Sequence, residues 1–422
     1  MSVISAVHTE SLEGEVDIQG SKNAVLPMLA ASILNTGRTV IKGCPDIADV
    51  RNTLEILDYI GCKTSFLQGT VEIDSSNVDN VFIPNEYTSR LRSVIVFIGA
   101  LLARKKEAKV FLPGGCSIGK RPVDIHIEAL SKMNIEISEE DEFIYGNTTA
   151  IRGNRIRLKF PSVGATQNVL LCAVLAKGKT VIENYAKEPE IIEFCRFLNN
   201  MGANIKVCPK YIHVVGVEQL HDSEFSLCGD RIVAGTYLFA TAAVGGNVTL
   251  NNIIPGHLMI VLKKLVTAGC ELYIEQERIR IERNRDVKLK SLGYVETLPY
   301  PGYPTDLQSF MTVLMCRADG SCILKENIFE NRLNTAKELI KMDADINILS
   351  NNMIKITGVD ELKGTSVEAS DLRDGAALIV AGLVANGETT VYNPGFIERG
   401  YEDIVRDLKL LGANIQQGDV NI

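Results

Sequence analysis

The sequence predicts an α/β fold made of six copies of one repeat, arranged as two domains with helices on the inside. Three observations predict it. A helical stretch that ends in a turn residue and runs into an isoleucine-rich strand recurs six times in the 422 residues. A second, almost wholly apolar helix precedes each copy. The turn positions Gly61, Asn134, Gly202, Gly269, Asp343 and Gly412 fall about 70 residues apart, longer than the usual solenoid period of roughly 20–50.

The apolar helices begin "NAVLPMLAASIL", "LRSVIVFIGALLA", "ATQNVLLCAVLA", "RIVAGTYLFATAAV", "LQSFMTVLMC" and "LRDGAALIVAGLV". Being apolar on nearly every side, they are expected to be buried. The other six, such as "DVRNTLEILDYIG" and "NTAKELIKMD", carry charge on one face and are expected outside. Each unit therefore reads strand–buried helix–strand–outer helix–strand. Three units can wrap their helices inside sheets as one domain, and six make two. The join falls near "SLCGDRIVAG", which places residues 21–229 in one domain and 1–20 with 230–422 in the other. No Pro/Ser-rich linker is present, so short strands that hinge would connect them, with the active site expected in the cleft between. A stacked array without a central site is the competing arrangement.

Composition narrows the function classes. Hydrophobic residues make up 46% and charged residues 23%, the balance of a soluble globular protein. The longest apolar run, "VIVFIGALLA", is far short of the roughly 20 residues of a membrane span. The opening "MSVISAVHTESLEGEV" has neither a basic nor an apolar signal region, so a cytoplasmic location is expected. A net charge of −8 argues against a nucleic-acid or anionic-membrane binder, though not against an anionic substrate held by a local cation cluster. The ten cysteines show no CxxC pairing and read as free thiols, most of them small core residues such as Cys172, Cys195 and Cys316. Five histidines without ligand spacing give no metal site.

The starts of the apolar helices carry charge at matched positions. They hold Lys22, Arg90 and Arg92, Ser162, Arg231, Asp306, and Asp371 with Arg373. The outer helices add Arg121, Glu188, Arg332 and Arg399 at theirs. Any one of these alone is a solvated helix end. Their recurrence would bring cations, acids and free helix amides to one side of each domain, a receptor for phosphate or carboxylate.

One loop stands apart. "GGCSIGK" matches GxxxxGK, but Arg121 and Pro122 follow where a phosphate loop needs a hydroxyl for Mg²⁺, and the repeat is not a doubly wound nucleotide fold. Alternatively, Gly114 and Gly115 make the loop mobile, and Lys120 and Arg121 lower the pKa of a reactive Cys116. On spacing alone, an inert thiol remains open.

With "GSKNAVLPMLAASIL", "LPGGCSIGKRPVDIH", "SVGAT", "EPEI", "GDRIVAGTY", "YPTDLQ", "IFENR", "SDLR" and "ERGYE" collinear along the chain, the sequence resembles the UDP-N-acetylglucosamine 1-carboxyvinyltransferases over essentially its whole length. The resemblance implies two inside-out α/β domains, each of threefold pseudo-symmetry, closing on substrate. It implies transfer of the enolpyruvyl group of phosphoenolpyruvate to the 3-hydroxyl of UDP-N-acetylglucosamine, the first committed step of peptidoglycan synthesis, with no cofactor. By resemblance the catalytic residues are Cys116, Asp306, Lys22 and Arg399. Lys22, Asn23, Arg121 and Arg399 would hold phosphoenolpyruvate. Asn23, Arg92, Arg121, Pro122, Val123, Asp124, Ile125, Ser162, Val163, Gly164, Asp306 and Ile328 would line the sugar nucleotide. Glu188, Arg231, Arg332, Asp371 and Arg373 would support them. Cys116 would donate a proton to C3 or form an adduct with phosphoenolpyruvate, and an epoxide such as fosfomycin would alkylate it.

Four positions depart from the pattern. Phe160 stands where a lysine is frequent, Val233 where a glutamate is, Glu398 where a histidine is, and Asp343 replaces a glycine. These touch nucleotide affinity and turn geometry rather than the reaction. The rivals are the sister 5-enolpyruvylshikimate-3-phosphate synthases, which lack a cysteine lid, and a silent paralogue that binds UDP-sugar. No nucleic-acid or membrane partner is expected, and the sequence leaves the oligomeric state open.

Overall fold

The computed structural model describes residues 2–112, 119 and 123–419. Cys116, Arg121 and Pro122, three of the expected site residues, lie outside them. The described chain divides into two compact units. The first unit is residues 20–112 and 123–227; the second is residues 2–19, 119 and 228–419.

The core of each unit is a set of three apolar helices. In the first they are Lys22–Ala31, Phe97–Lys105 and Val163–Ala173; in the second, Arg231–Val244, Gln308–Cys316 and Leu372–Val384. All fourteen residues of Arg231–Val244 are buried, as an all-round apolar sequence requires. The outer helices bury one stripe: in Asn334–Lys341 only Thr335, Ala336 and Leu339 are covered. Two separate hydrophobic clusters result, one in each unit.

Six four-stranded sheets surround these helices among the described residues. In the first, Arg38–Lys42 pairs parallel with Ser223–Ser226 on one side. On the other it pairs antiparallel with Thr70–Asp74, the return arm of a hairpin whose outgoing arm is Lys63–Leu67. The repeat thus carries one strand more than the five-element unit read from the sequence. The outgoing arms are the isoleucine-rich stretches, and they form exposed sheet edges. The return arms, such as Tyr211–Val215 and Met353–Thr357, alternate buried and partly exposed residues against the helices.

Two strands lead the chain from one unit into the other. Leu12–Asp17 pairs with Gly246–Asn251 in the second unit yet leads into Lys22–Ala31 of the first. Ser223–Ser226 pairs in the first unit and leads into Arg231–Val244 of the second. The first strand, Ser2–Val7, lies between Glu388–Tyr392 and Ile415–Asp419 and completes the sixth sheet.

All six repeat turns adopt the left-handed conformation, with φ of 104° at Gly61, 62° at Asn134, 98° at Gly202, 109° at Gly269, 65° at Asp343 and 90° at Gly412. Reversing from helix to strand demands this backbone, which is why glycine, asparagine or aspartate recurs there. No described helix is long and apolar enough to cross a membrane.

Candidate active site

In the second unit, charge collects where the three buried helices begin. Asp230 caps Arg231–Val244, its carboxylate accepting from the amides of Ile232 at 2.7 Å and Val233 at 3.1 Å. Asp371 caps Leu372–Val384 in the same way, through Arg373 at 2.7 Å and Asp374 at 3.0 Å. Short polar side chains of this kind satisfy amides that a helix start leaves free. Asp306 sits in the 3₁₀ turn Thr305–Leu307 that opens onto Gln308–Cys316.

Three guanidiniums act on Asp306. Arg332, 4% exposed, donates from Nη2 to Asp306 Oδ1 at 2.8 Å. Burial alone would raise the Asp306 pKa, but the charges of Arg332, Arg373 and Arg231 outweigh it and hold the carboxylate well below its usual range. Arg231 and Arg373 are themselves buried, at 7% and 3% exposure. Arg373 is held charged against its own burial by Tyr401, Asp306 and Asp230. Tyr401 anchors that arrangement, its hydroxyl 2.7 Å from Thr236 Oγ1 and its ring 5.5 Å from the Arg373 guanidinium carbon. Asp306 keeps 28% of its side chain exposed, so the carboxylate is reachable. Three buried guanidiniums converge on the partly open carboxylate of Asp306, an arrangement that suits recognition of an anionic ligand.

In the first unit, Lys22 opens its helix nearly buried, with Nζ 2.7 Å from Asp49 Oδ2. Arg92 opens the 3₁₀ turn Arg92–Val96. Ser162 caps Val163–Ala173 by accepting from Ala165 N at 3.3 Å. The start of the outer helix Asp124–Ser131 meets that cap, because a Cβ on Gly164 would lie 2.9 Å from His126 Cε1. Val123, Asp124 and Ile125 therefore share a neighbourhood with Ser162, Val163 and Gly164. Burial and the Arg92 charge push the His126 pKa down to about 4. Asn168 Oδ1 accepts from Gly99 N, so its amide nitrogen, 2.8 Å away, donates to His126 Nδ1. The neutral ring then carries its proton on Nε2.

These features match known proteins. A family model described as EPSP synthase (3-phosphoshikimate 1-carboxyvinyltransferase) matches residues 7–408. UDP-N-acetylglucosamine 1-carboxyvinyltransferase 2 of Caldanaerobacter subterraneus subsp. tengcongensis is 45% identical over 405 residues, covering 96% of each chain. The UDP-N-acetylglucosamine 1-carboxyvinyltransferase of Finegoldia magna is 43% identical over 423 residues, covering 100% of each. The chain belongs to the UDP-N-acetylglucosamine 1-carboxyvinyltransferase family. Its fold is also that of the enolpyruvyl transferase NikO from Streptomyces tendae, whose crystal structure matches with a TM-score of 0.88 at 22% identity, over 100% of this chain and 99% of that one.

Within this carboxyvinyltransferase, the structure brings Asp306, Arg231, Arg332, Arg373 and Asp371 to the helix starts of one unit. Arg332 is a buried clamp, not a solvated helix end. Arg399 closes the 3₁₀ turn Pro394–Arg399, half-buried, with Glu398 exposed beside it. Ile328 is half-buried after the strand Ser321–Lys325, Asn23 follows Lys22, and Glu188 stands at the N-cap of Pro189–Asn200 without a side-chain cap bond. Arg90 does not join the cluster: it turns outward to Glu55 at 3.5 Å. Phe160 is 41% exposed, and neighbouring Lys159 is held by Glu128 at 2.7 Å. Val233 is a core residue. Burial pushes the thiols of Cys172, Cys195 and Cys316 up to about 12, which makes them inert.

Sequence reasoning missed Asp49, Asp230, Tyr401 and His126. The first three hold Lys22 or Arg373 in place, and only their burial gives them away. A cavity of about 300 Å³ at the opposite helix ends, lined by Arg283 and Arg317, lies apart from this chemistry. Arg283 donates to the carbonyls of Ala243 and Val287 there, and Arg317 to that of Val359, so both serve to cap main chain.

Proposed function

We propose that the protein transfers the enolpyruvyl group of phosphoenolpyruvate to the 3-hydroxyl of UDP-N-acetylglucosamine, releasing phosphate, as the first committed step of peptidoglycan synthesis. The observation that carries this reading is full-length identity of 43–45% to enzymes of that name, with Asp306 set among three buried guanidiniums.

The sugar hydroxyl attacks C2 of phosphoenolpyruvate as its proton leaves, and C3 takes up a proton. The tetrahedral adduct then loses phosphate from C2 and a proton from C3, which restores the double bond. Lys22, Arg121 and Arg399 would hold the phosphate and carboxylate, with Arg92 and Arg373 completing the cationic shell and Asn23 orienting the adduct. Cys116 would supply the proton to C3. Asp306 would take the hydroxyl proton. In the free protein its neighbours make it a weak base. An anionic substrate that neutralises those guanidiniums lifts the depression and strengthens the base when it is needed. Val123, Asp124, Ile125, Ser162, Val163 and Gly164 would cradle the uridine diphosphate, with Pro122 and Ile328 alongside. Both substrates are soluble phosphorylated metabolites, in keeping with a cytoplasmic enzyme.

The test is inorganic phosphate release from phosphoenolpyruvate with UDP-N-acetylglucosamine, run beside shikimate 3-phosphate. Release with the sugar nucleotide alone supports the reading. Release with shikimate 3-phosphate alone transfers it to the sister reaction, and release with neither overturns both.

A further inference from the structure

Glu326 is among the most deeply buried carboxylates of the chain, at 1% exposure, and the reaction outlined above does not use it. Its side-chain hydrogen-bond partners among the described residues are all donors. Oε1 accepts from the amides of Ile328 at 2.7 Å and Phe329 at 3.1 Å, and Oε2 accepts from the Thr305 hydroxyl at 2.9 Å. The main chain of Glu326 is fixed as well, exchanging bonds with Asn352 through its amide at 2.8 Å and its carbonyl at 3.1 Å.

The direction of these bonds matters. Thr305 has one hydroxyl proton and gives it to Glu326, so a lone pair faces Arg332, whose Nη1 donates to it at 3.2 Å. The same guanidinium clamps Asp306 through Nη2 at 2.8 Å. An unbroken polar chain therefore runs from the Ile328–Phe329 amides through Glu326, Thr305 and Arg332 to Asp306. Its donors all point toward one or the other carboxylate. The Phe329 ring, 5.2 Å from the Arg332 guanidinium carbon, packs on the same link.

We propose that Glu326 is a positioning residue that couples the Ile328 loop to Asp306, so that the segment touching the sugar nucleotide and the carboxylate that accepts its proton are set as one piece. This rests on the proposed function, which gives Ile328 and Asp306 those roles. A buried carboxylate is the group suited to the place: it accepts from both sides at once, whereas an amide must turn a donor toward Thr305.

The test is a double-mutant cycle on the full-length protein with Thr305→Val and Glu326→Gln, reading kcat and the KM for UDP-N-acetylglucosamine. Each single change is expected to lower kcat by about tenfold, and the double change by little more, because both cut the same link. Singles that multiply to about a hundredfold would overturn the coupling. Amide hydrogen exchange on the substrate-free protein keeps the test separate from the reaction assignment. Glu326→Ala should speed exchange at residues 327–329, and Glu326→Gln should speed it at 304–307. Unchanged exchange at both segments would overturn the proposal even in a fully active enzyme. Failure of the wild type to use UDP-N-acetylglucosamine would sink the reaction assignment and leave the exchange result to decide this one.

Discussion

Arg332 and Asp306 form a one-sided pair: the guanidinium is 4% exposed, while 28% of the carboxylate side chain reaches solvent, with 2.8 Å between them. A cation buried this deeply is stable only while its partner stays ionised. The pair therefore fixes Asp306 as an anion in the free protein and aims its open face outward. With Arg231 and Arg373 adding to the same field, the site is poised for an anion rather than for strong basicity.

The first prediction concerns pH. The folded pKa of Asp306 lies below its ordinary value, so its charge contributes stability above the unfolded pKa and loses it as pH falls through the folded one. Replacing Arg332 with Gln removes the largest depressing charge, and the Asp306 pKa should rise. The acid limb of the kcat/KM profile for phosphate release should move up with it. A limb that stays at the wild-type pH would mean that Asp306 does not set it.

Substituting Asp306 itself separates charge from shape. Asp306→Asn keeps the volume but gives up the proton acceptor, and turnover should fall by about 10²–10⁴-fold. The three buried guanidiniums would also face one another with less compensation, so a lower melting temperature is expected alongside. Turnover within a factor of about three of wild type would remove Asp306 from the proton path.

Lys22 depends on Asp49 in the same way. The ammonium is 11% exposed and the carboxylate 3% exposed as side chains, at 2.7 Å. Asp49→Ala removes the carboxylate 2.7 Å from a nearly buried ammonium, and a loss of about 3 kcal/mol in unfolding free energy is expected from urea titration. A loss under about 1 kcal/mol would show that Lys22 finds a substitute partner or turns to solvent.

The repeat turns make a smaller prediction. Asp343 holds φ at 65° where the equivalent turns at Gly202, Gly269 and Gly412 use glycine, and it forms an ion pair with exposed Lys363. Asp343→Gly removes the left-handed penalty and gives up a surface pair of small value, so stability should rise by up to about 1 kcal/mol. A drop in melting temperature would mean that the Lys363 contact outweighs the backbone strain.

The sequence made the helices and turns readable because both rest on local chemistry: apolar residues on every side, and glycine, asparagine or aspartate where the chain must turn left. The return strands were not readable. Met353–Thr357 follows its partner after a tight turn and carries only a brief alternation, and the sixth sheet draws Ser2–Val7 from the far end of the chain. At the site, residue type and matched position marked Lys22, Asp306 and Arg373. Asp49, Asp230, Tyr401 and Glu326 were not marked as site residues, since what distinguishes them is burial beside a charge, which only the packed units create.

Asp374 brings the last prediction, and it runs opposite to the first. Burial pushes this carboxyl up to about 6 and the neighbouring Asp371 charge adds to it, while bonds from Ser370 hold it back only in part. A carboxyl whose folded pKa is raised favours the fold while protonated. Its contribution is present below the unfolded value near 4 and is lost as pH rises through about 6. A shift of roughly two units corresponds to about 3 kcal/mol at most, lost across that window. Asp374→Asn fixes the neutral form, so the variant should gain on the wild type at pH 8 and match it at pH 4. The measurement is a pair of urea titrations at those two values. An equal difference at both would show that Asp374 does not titrate in the folded protein.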